Sequence, residues 1–355
     1  MTSFRSKNLT FLSLGAFLLL LAVTQLNLVL AASSDGSCSA SNQCPSSAPC
    51  CSEFGYCGTG SQSCLGGCNP DASFKPSSCK ALPRCTNQYI DFTGKKTPYI
   101  PIASYKGDPE QAPMTLDQGV ARPTTGGVRL ALTRTGQAQQ GTRLSTTRFW
   151  YYGRATAVMK HDSHAGVVHT FISMSNTRDE IDWEFTTANG KDAETNYYWY
   201  GQPEGYTHGY TIPESSLPGG SNFDVSAWHS YTIDWSPNRL KWEIDGVVVR
   251  TIKKSSTLGS DGFYHYPATP ARLQLSIWGA GTDDYPEGTR SWSGGYIDWS
   301  KVDSKGSFTN MIKSLEITCA DPSTLGAGHA YSFSSKIDPT TGEKKVISTQ
   351  RSTTL

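Results

Sequence analysis

Acidic and large apolar residues alternate without a break from Asp179 to Phe185. At the strand period of two, Glu180, Asp182 and Glu184 share one face, and Ile181, Trp183 and Phe185 share the other. Strand-like runs bounded by turn residues recur at 127–133, 151–160, 167–174, 181–187 and 230–234. The runs 240–244 and 247–252 flank Asp245-Gly246, a pair that favours a type I′ hairpin turn. No long amphipathic helix pattern occurs between residues 86 and 320. Many short antiparallel strands predict an all-β domain over 86–320, a β-jelly-roll sandwich with one sheet curved enough to form a groove.

The two ends of the chain depart from this rhythm. Arg5 and Lys7 precede an apolar run that is densest from Phe11 to Val23, and Val29-Leu30-Ala31 offers a small-residue cleavage site. Residues 1–32 therefore read as a signal peptide. Thr24, Gln25 and Asn27 interrupt the apolar run, which disfavours an uncleaved membrane anchor. Residues 33–70 are too few to bury a core of their own, so cross-links must hold them. Residues 71–85, with Pro76 and Pro83, form a short connector. Residues 321–355 turn polar and are expected to be a tail without the terminal apolar stretch of a glycolipid-anchor signal.

Composition narrows the class. The net charge is +1, from 31 basic and 30 acidic residues, so no nucleic-acid partner is implied. Of 10 cysteines, all but Cys319 fall between Cys38 and Cys85. That density marks a disulfide scaffold made in an oxidising compartment. Zinc would call for paired C-x-x-C knuckles, which are absent, and His161, His164, His169, His208 and His229 lack ligand spacing. No metal or cofactor is expected.

Three carboxylates in a row on a strand repel one another and are poor strand formers, so folding alone does not ask for them. Glycosidic-bond chemistry does. Retaining hydrolysis or transfer needs two carboxyls about 5–5.5 Å apart, one attacking the anomeric carbon and one protonating the leaving oxygen. Residues i and i+4 of a flat strand lie about 13 Å apart, so a curved strand and two long glutamates are required. The arrangement reads as Glu180 the nucleophile and Glu184 the general acid and base. Asp182 orients Glu180 and tunes its ionisation. With Glu184 protonated and Glu180 charged, activity is expected to be best at mildly acidic pH.

Two resemblances sharpen this. Cys50-Cys51 followed by Ser52-Glu53-Phe54-Gly55-Tyr56-Cys57-Gly58 resembles the hevein-type chitin-binding domain, carbohydrate-binding module family 18. The likeness implies chitin contacts at Ser52, Phe54 and Tyr56. It also implies the disulfides Cys38–Cys51, Cys44–Cys57 and Cys50–Cys64. A third aromatic expected before Cys64 is replaced by Ser63, which implies weaker chitin affinity. The last four cysteines allow three pairings, of which Cys68–Cys79 with Cys85–Cys319 is preferred. The Glu-x-Asp-x-Glu motif, the 228–235 segment Trp-His-Ser-Tyr-Thr-Ile-Asp-Trp and the Asp245-Gly246 hairpin resemble glycoside hydrolase family 16. Ile277-Trp278-Gly279 and the 292–299 segment resemble its fungal Crh-type branch, cell-wall transglycosylases that join chitin to β-glucan. That likeness implies a concanavalin-like jelly roll.

The sequence therefore predicts a retaining transglycosylase that moves chitin or β-glucan chains onto β-glucan. Its expected partners are chitin and β-1,3/1,6-glucan, and it is expected to act in the cell wall as a secreted monomer with no membrane span after signal cleavage. A hydrolytic endo-β-glucanase or chitinase is the first alternative, and a catalytically idle chitin-binding lectin the second. Trp278 and Trp292 are candidate sugar-binding residues. Asn196, Tyr197, Tyr200 and Gln202 lie in an aromatic and polar run expected to line the groove.

Overall fold

The computed structural model describes residues 36–187, 192–202 and 208–355. The expected signal peptide lies outside the described residues. Two large sheets pack against each other. One has eight strands, in the order Tyr210–Thr211, Asp192–Tyr198, Glu180–Thr186, Val167–Ser175, Ala271–Gly279, Thr142–Thr146, Met114–Gln118 and Tyr99–Pro101. The main path of the second runs Val247–Lys253, Arg239–Ile244, His229–Trp235, Gly153–His161, Phe308–Cys319, Gly127–Thr135 and Val120–Thr124. The chain crosses repeatedly between the sheets, as from Thr142–Thr146 to Gly153–His161 to Val167–Ser175, in keeping with a jelly roll. The predicted hairpin forms with Ile244 opposite Val247, and Asp245 and Gly246 both adopt positive φ, 49° and 79°. That is the backbone a type I′ turn demands.

The core lies between the sheets and is rich in large rings. Trp150, Phe171, Trp183, Trp235 and Trp242 are each at most 1% exposed. The apolar face of the acidic strand belongs to it: Ile181, Trp183 and Phe185 are buried. Two indoles bond between the sheets. Trp242 Nε1 donates to the Asp182 carbonyl at 2.9 Å, and Trp183 Nε1 donates to the Thr232 carbonyl at 3.1 Å. Buried indole N–H groups need such partners, and here they fix the strand that carries the acids.

The cysteine-rich segment holds only short elements, the strands Cys50–Cys51 and Cys57–Gly58 and the helical turn Ser61–Cys64. Disulfides join Cys38 to Cys51, Cys44 to Cys57, Cys50 to Cys64 and Cys68 to Cys79. A fifth, Cys85 to Cys319, ties the two ends of the sandwich. The module is docked on the sandwich. Leu65 packs with Ile102 and Tyr105, Glu53 forms an ion pair with Arg143, and the Gly67 N–H donates to Asn176 Oδ1 at 3.1 Å.

The C-terminal segment corrects the expectation of a polar tail. Ala330–Ile337 and Lys344–Thr349 form a hairpin that joins Leu82–Pro83 in a three-stranded sheet. The hairpin contributes Tyr331 and Val346 to the main core, with Phe333 packed against it, and adds polar contacts. Tyr331 Oη donates to Asp321 at 2.6 Å, Lys344 pairs with Asp71 at 2.7 Å, and Trp199 Nε1 donates to the Thr341 carbonyl at 3.0 Å. Arg351 donates to the Ser77 and Cys79 carbonyls. The hairpin thus bridges the sandwich core, the connector and the loop after Asp192–Tyr198.

Glu343, on this hairpin, is 1% exposed and faces Asp179. Burial, and then the charge of Asp179, push its carboxyl well above the usual range. A proton held more tightly in the folded chain makes a stabilising contribution that is complete in acid and lost as pH rises through the folded pKa. Glu343→Gln should therefore gain on the wild type as pH rises. We expect the difference in melting temperature, variant minus wild type, to be more positive at pH 8 than at pH 5. An equal difference at both pH values would show that the folded chain binds the Glu343 proton no more tightly than the unfolded chain does.

Candidate active site

Register decides which side chains meet. Glu180, Asp182 and Glu184 stand opposite Tyr198, Asn196 and Glu194 on one neighbouring strand. On the other side they stand opposite Met174, Ile172 and Thr170. Directly opposed residues share a face, so these side chains cover the outer face of the eight-stranded sheet. Trp278, Ser276 and Gln274 extend that face on the next strand.

A cavity of about 310 Å³ holds Glu180, Glu184, Gln274 and Trp278 together. A second, of about 580 Å³, opens beside Glu184 and is lined by Glu194, Tyr198, Tyr210, Trp278 and Trp292. A third, of about 320 Å³, opens beside Glu180 and includes Gln202 and Arg178. Trp278 stacks near Trp292, with ring centroids 6.2 Å apart, and Tyr285 lies 5.3 Å from Trp278 on its other contact. Aromatic faces beside paired carboxyls suit a pyranose ring, whose C–H groups pack on a π surface while its hydroxyls bond to polar neighbours.

The acids lie in a desolvated setting. Burial lifts the Glu180 carboxyl above its ordinary range, and a hydrogen bond from Asp182 partly offsets that rise. Asp182 is 2% exposed; burial first, then the charges of Glu180 and Glu184, drive it well above the carboxylate range. That direction favours the protonated form of Asp182, whose side chain is hydrogen-bonded to Glu180. Burial, followed by the charges of Glu180 and Glu194, raises Glu184. Asp179, next along the strand, is a structural group: it accepts from the Tyr200 and Ala268 N–H groups and from the Thr269 hydroxyl.

Of the candidate sugar-binding residues, Trp278, Trp292, Asn196 and Gln202 line these cavities. Asn196 Nδ2 donates to Tyr198 Oη at 3.0 Å, and Trp292 Nε1 donates to Glu194 Oε2 at 2.8 Å. Tyr197 is corrected. It lies 6% exposed in the core, with its ring against His208, because the pleat turns it away from the acids and turns Tyr198 toward them. Tyr200 is used in structure, its Oη donating to Asp71 at 2.8 Å. Glu194 and Tyr198 went unnoticed in the sequence. A count of two along the strand from a known register would have found both.

On the small module, Phe54 and Tyr56 are exposed, at 61% and 59%. Ser52 is buried, and its hydroxyl accepts the Tyr56 N–H at 3.2 Å, shaping the turn that presents the two rings.

The family model described as glycosyl hydrolases family 16 matches residues 108–301. The chain belongs to that family. Within it the chain groups with the fungal Crh-like proteins. It is 38% identical to Crh-like protein 2 of Aspergillus fumigatus over 325 residues, 90% of this chain and 71% of the relative. It is 34% identical to Crh-like protein UTR2 of Candida albicans, covering 86% of this chain and 63% of that one. Congo red hypersensitive protein 2 of Saccharomyces cerevisiae is also 34% identical, over 80% of this chain and 59% of its own length. The chain thus spans less than two thirds of the latter two relatives. A solved Crh5 transglycosylase in complex with NAG matches with a TM-score of 0.56 at 26% identity, over 72% of this chain and 90% of that one. The family places the chain among enzymes that act on polysaccharides.

The two neighbours that act on the glutamates can be separated by titration. Asp182→Ala removes a donor to Glu180, so Glu180 should lose its proton at higher pH. Glu194→Gln removes a negative charge near Glu184, so Glu184 should lose its proton at lower pH. Carbon-13 NMR of carboxyl-labelled glutamate follows both. A fall for Glu180 in Asp182→Ala would mean that Asp182 carries charge, contrary to the proton placed there.

Proposed function

We propose that the protein is a retaining transglycosylase of the cell wall, which cleaves chitin or β-glucan and passes the cleaved chain to a β-glucan acceptor. One observation carries the reading: Glu180 and Glu184 share one aromatic-lined cavity, with the buried Asp182 between them on the same strand face. The ionised Glu180 attacks the anomeric carbon of the donor. The bond from that carbon to the bridging oxygen breaks, and Glu184 gives that oxygen its proton. The result is a glycosyl ester on Glu180 and a free chain end. Glu184, now ionised, takes the proton from an acceptor hydroxyl as that oxygen attacks the same carbon and releases Glu180. Two inversions retain the configuration. The relatives' Crh-like names and the Crh5 transglycosylase support transfer over hydrolysis. The same carboxylates serve water, so the acceptor must win through its local concentration in the groove.

In this reading the exposed Phe54 and Tyr56 rings hold chitin, and the 33–70 module brings the enzyme to its substrate. Residues 86–320 carry the chemistry. The cell wall is the site of action, reached through the 1–32 signal peptide.

Incubation with a chitin oligosaccharide and a fluorescent β-glucan oligosaccharide tests the proposal. Labelled products longer than the acceptor are expected, with β configuration at the new bond by NMR. Products that are only shorter than the donor would mean hydrolysis. Glu180→Gln should lower transfer at least about 1,000-fold, the loss typical when a nucleophile or oxyanion stabiliser is removed.

A further inference from the structure

The cavity on the Glu180 side is walled partly by the small module. Glu53, Gly67 and Asn69 line it together with Arg143, Asn176 and Arg178 of the sandwich. Asn176 sits in the turn that leads into the acidic strand and is 3% exposed. Its Oδ1 accepts the Gly67 N–H of the module, which fixes the orientation of the amide. Among the described residues its Nδ2 is then a buried donor without a partner. A buried amide donor left unmade costs free energy, so an acceptor brought by a ligand would be favoured there. A second link runs from the connector, directly after the module, to the catalytic strand. Asp71 accepts from Tyr200 Oη, and the Tyr200 N–H donates to Asp179, the residue before Glu180.

Building on the enzymatic reading above, we propose that the cysteine-rich module is part of the active-site groove. With Asn176 it forms a saccharide subsite beside Glu180 that is complete only when the module is docked. The ligand is one sugar unit of the polysaccharide chain. Its recognised group is a hydroxyl or acetamido oxygen accepting from Asn176 Nδ2, with the guanidinium groups of Arg143 and Arg178 and the Glu53 carboxylate at the rim. The cavity's volume, about 320 Å³, falls at the small end of the range for ligand sites, in keeping with one bound unit. The exposed rings of Phe54 and Tyr56 adjoin this wall, with the Arg143 guanidinium 5.7 Å from the Phe54 ring, while Glu53, Gly67 and Asn69 line the cavity.

Steady-state kinetics on donor oligosaccharides of increasing length test this. Asn176→Asp keeps an acceptor for the Gly67 N–H and removes the donor. It should raise KM about 10-fold for donors long enough to reach the cavity, the effect of one lost hydrogen bond to a neutral group. KM for shorter donors should stay at the wild-type value, with kcat changing far less than KM. Glu53→Gln breaks the ion pair to Arg143 from the module side and should give the same dependence on length. Melting temperature verifies that both variants are folded. A KM within twofold of wild type at every length in both variants overturns the subsite. A fall in kcat at every length with KM unchanged also overturns it, since that is the mark of a displaced catalytic strand. Failure of the wild-type chain to cleave or extend any β-glycan overturns the enzymatic reading, and the subsite with it.

Discussion

Everything at the site depends on holding a row of carboxyls at the mouth of a desolvated groove without letting the strand beneath them move. The cost is electrostatic. Charges brought into a low-dielectric setting beside one another repel strongly, and the carboxyls respond by keeping protons. The restraint comes from the opposite face of the same strand. Ile181, Trp183 and Phe185 are sealed between the sheets, and Trp242 reaches from the other sheet to hold the Asp182 carbonyl. A strand tied this way cannot relax by turning its acids to solvent, because one step of slip would put Trp183 outside and the acids in the core.

The same logic extends to the parts added around the sandwich. The module cannot be held by a core of its own, so disulfides fix its shape, and the Leu65 contact and polar bonds to the sandwich fix its place. The C-terminal hairpin closes the arrangement against the connector and the sandwich. Lys344 reaches the connector at Asp71, Arg351 reaches the Ser77 and Cys79 carbonyls, and Thr341 accepts from Trp199 just past the groove strand Asp192–Tyr198. Module, sandwich and hairpin thus meet around the turn that precedes Glu180, where small displacements matter most for chemistry.

How much of this was legible depended on whether a residue's role followed from local period or from long-range register. The acid triplet and its buried partners could be sorted by counting in twos. The Asp245-Gly246 hairpin could be read because its turn residues announce a backbone that few others adopt. Tyr197 could not be distinguished from Tyr198, because both neighbours are tyrosine and the pattern carries no phase. Only the pairing of Glu180 with Tyr198 shows which ring meets the acids. Glu194 carries no local signal in the sequence, and only register places it opposite Glu184. The C-terminal strands were hidden for a different reason. Tyr331-Ser332-Phe333-Ser334 does alternate, but the run is short and polar residues follow it, so the few apolar side chains it sends to the core did not stand out. The contact of Asn176 with Gly67 joins residues 109 positions apart, which no local pattern reveals.

Identical residue types at 180 and 184 are driven apart by what stands next to each. The side chain of Asp182 is hydrogen-bonded to Glu180, and a hydrogen bond to the charged form stabilises that form. Glu184 receives no such bond from Asp182 and instead feels the charge of Glu194 across the ladder. Trp292 holds Glu194 in that position through its indole N–H. One glutamate is thereby favoured as the anion and its neighbour as the acid. A pair divided in this way can run both halves of a retaining reaction, since the group that starts protonated is the one placed to take a proton back. The asymmetry resides in Asp182 and Glu194, so the motif of three acids is completed by a fourth on the adjacent strand.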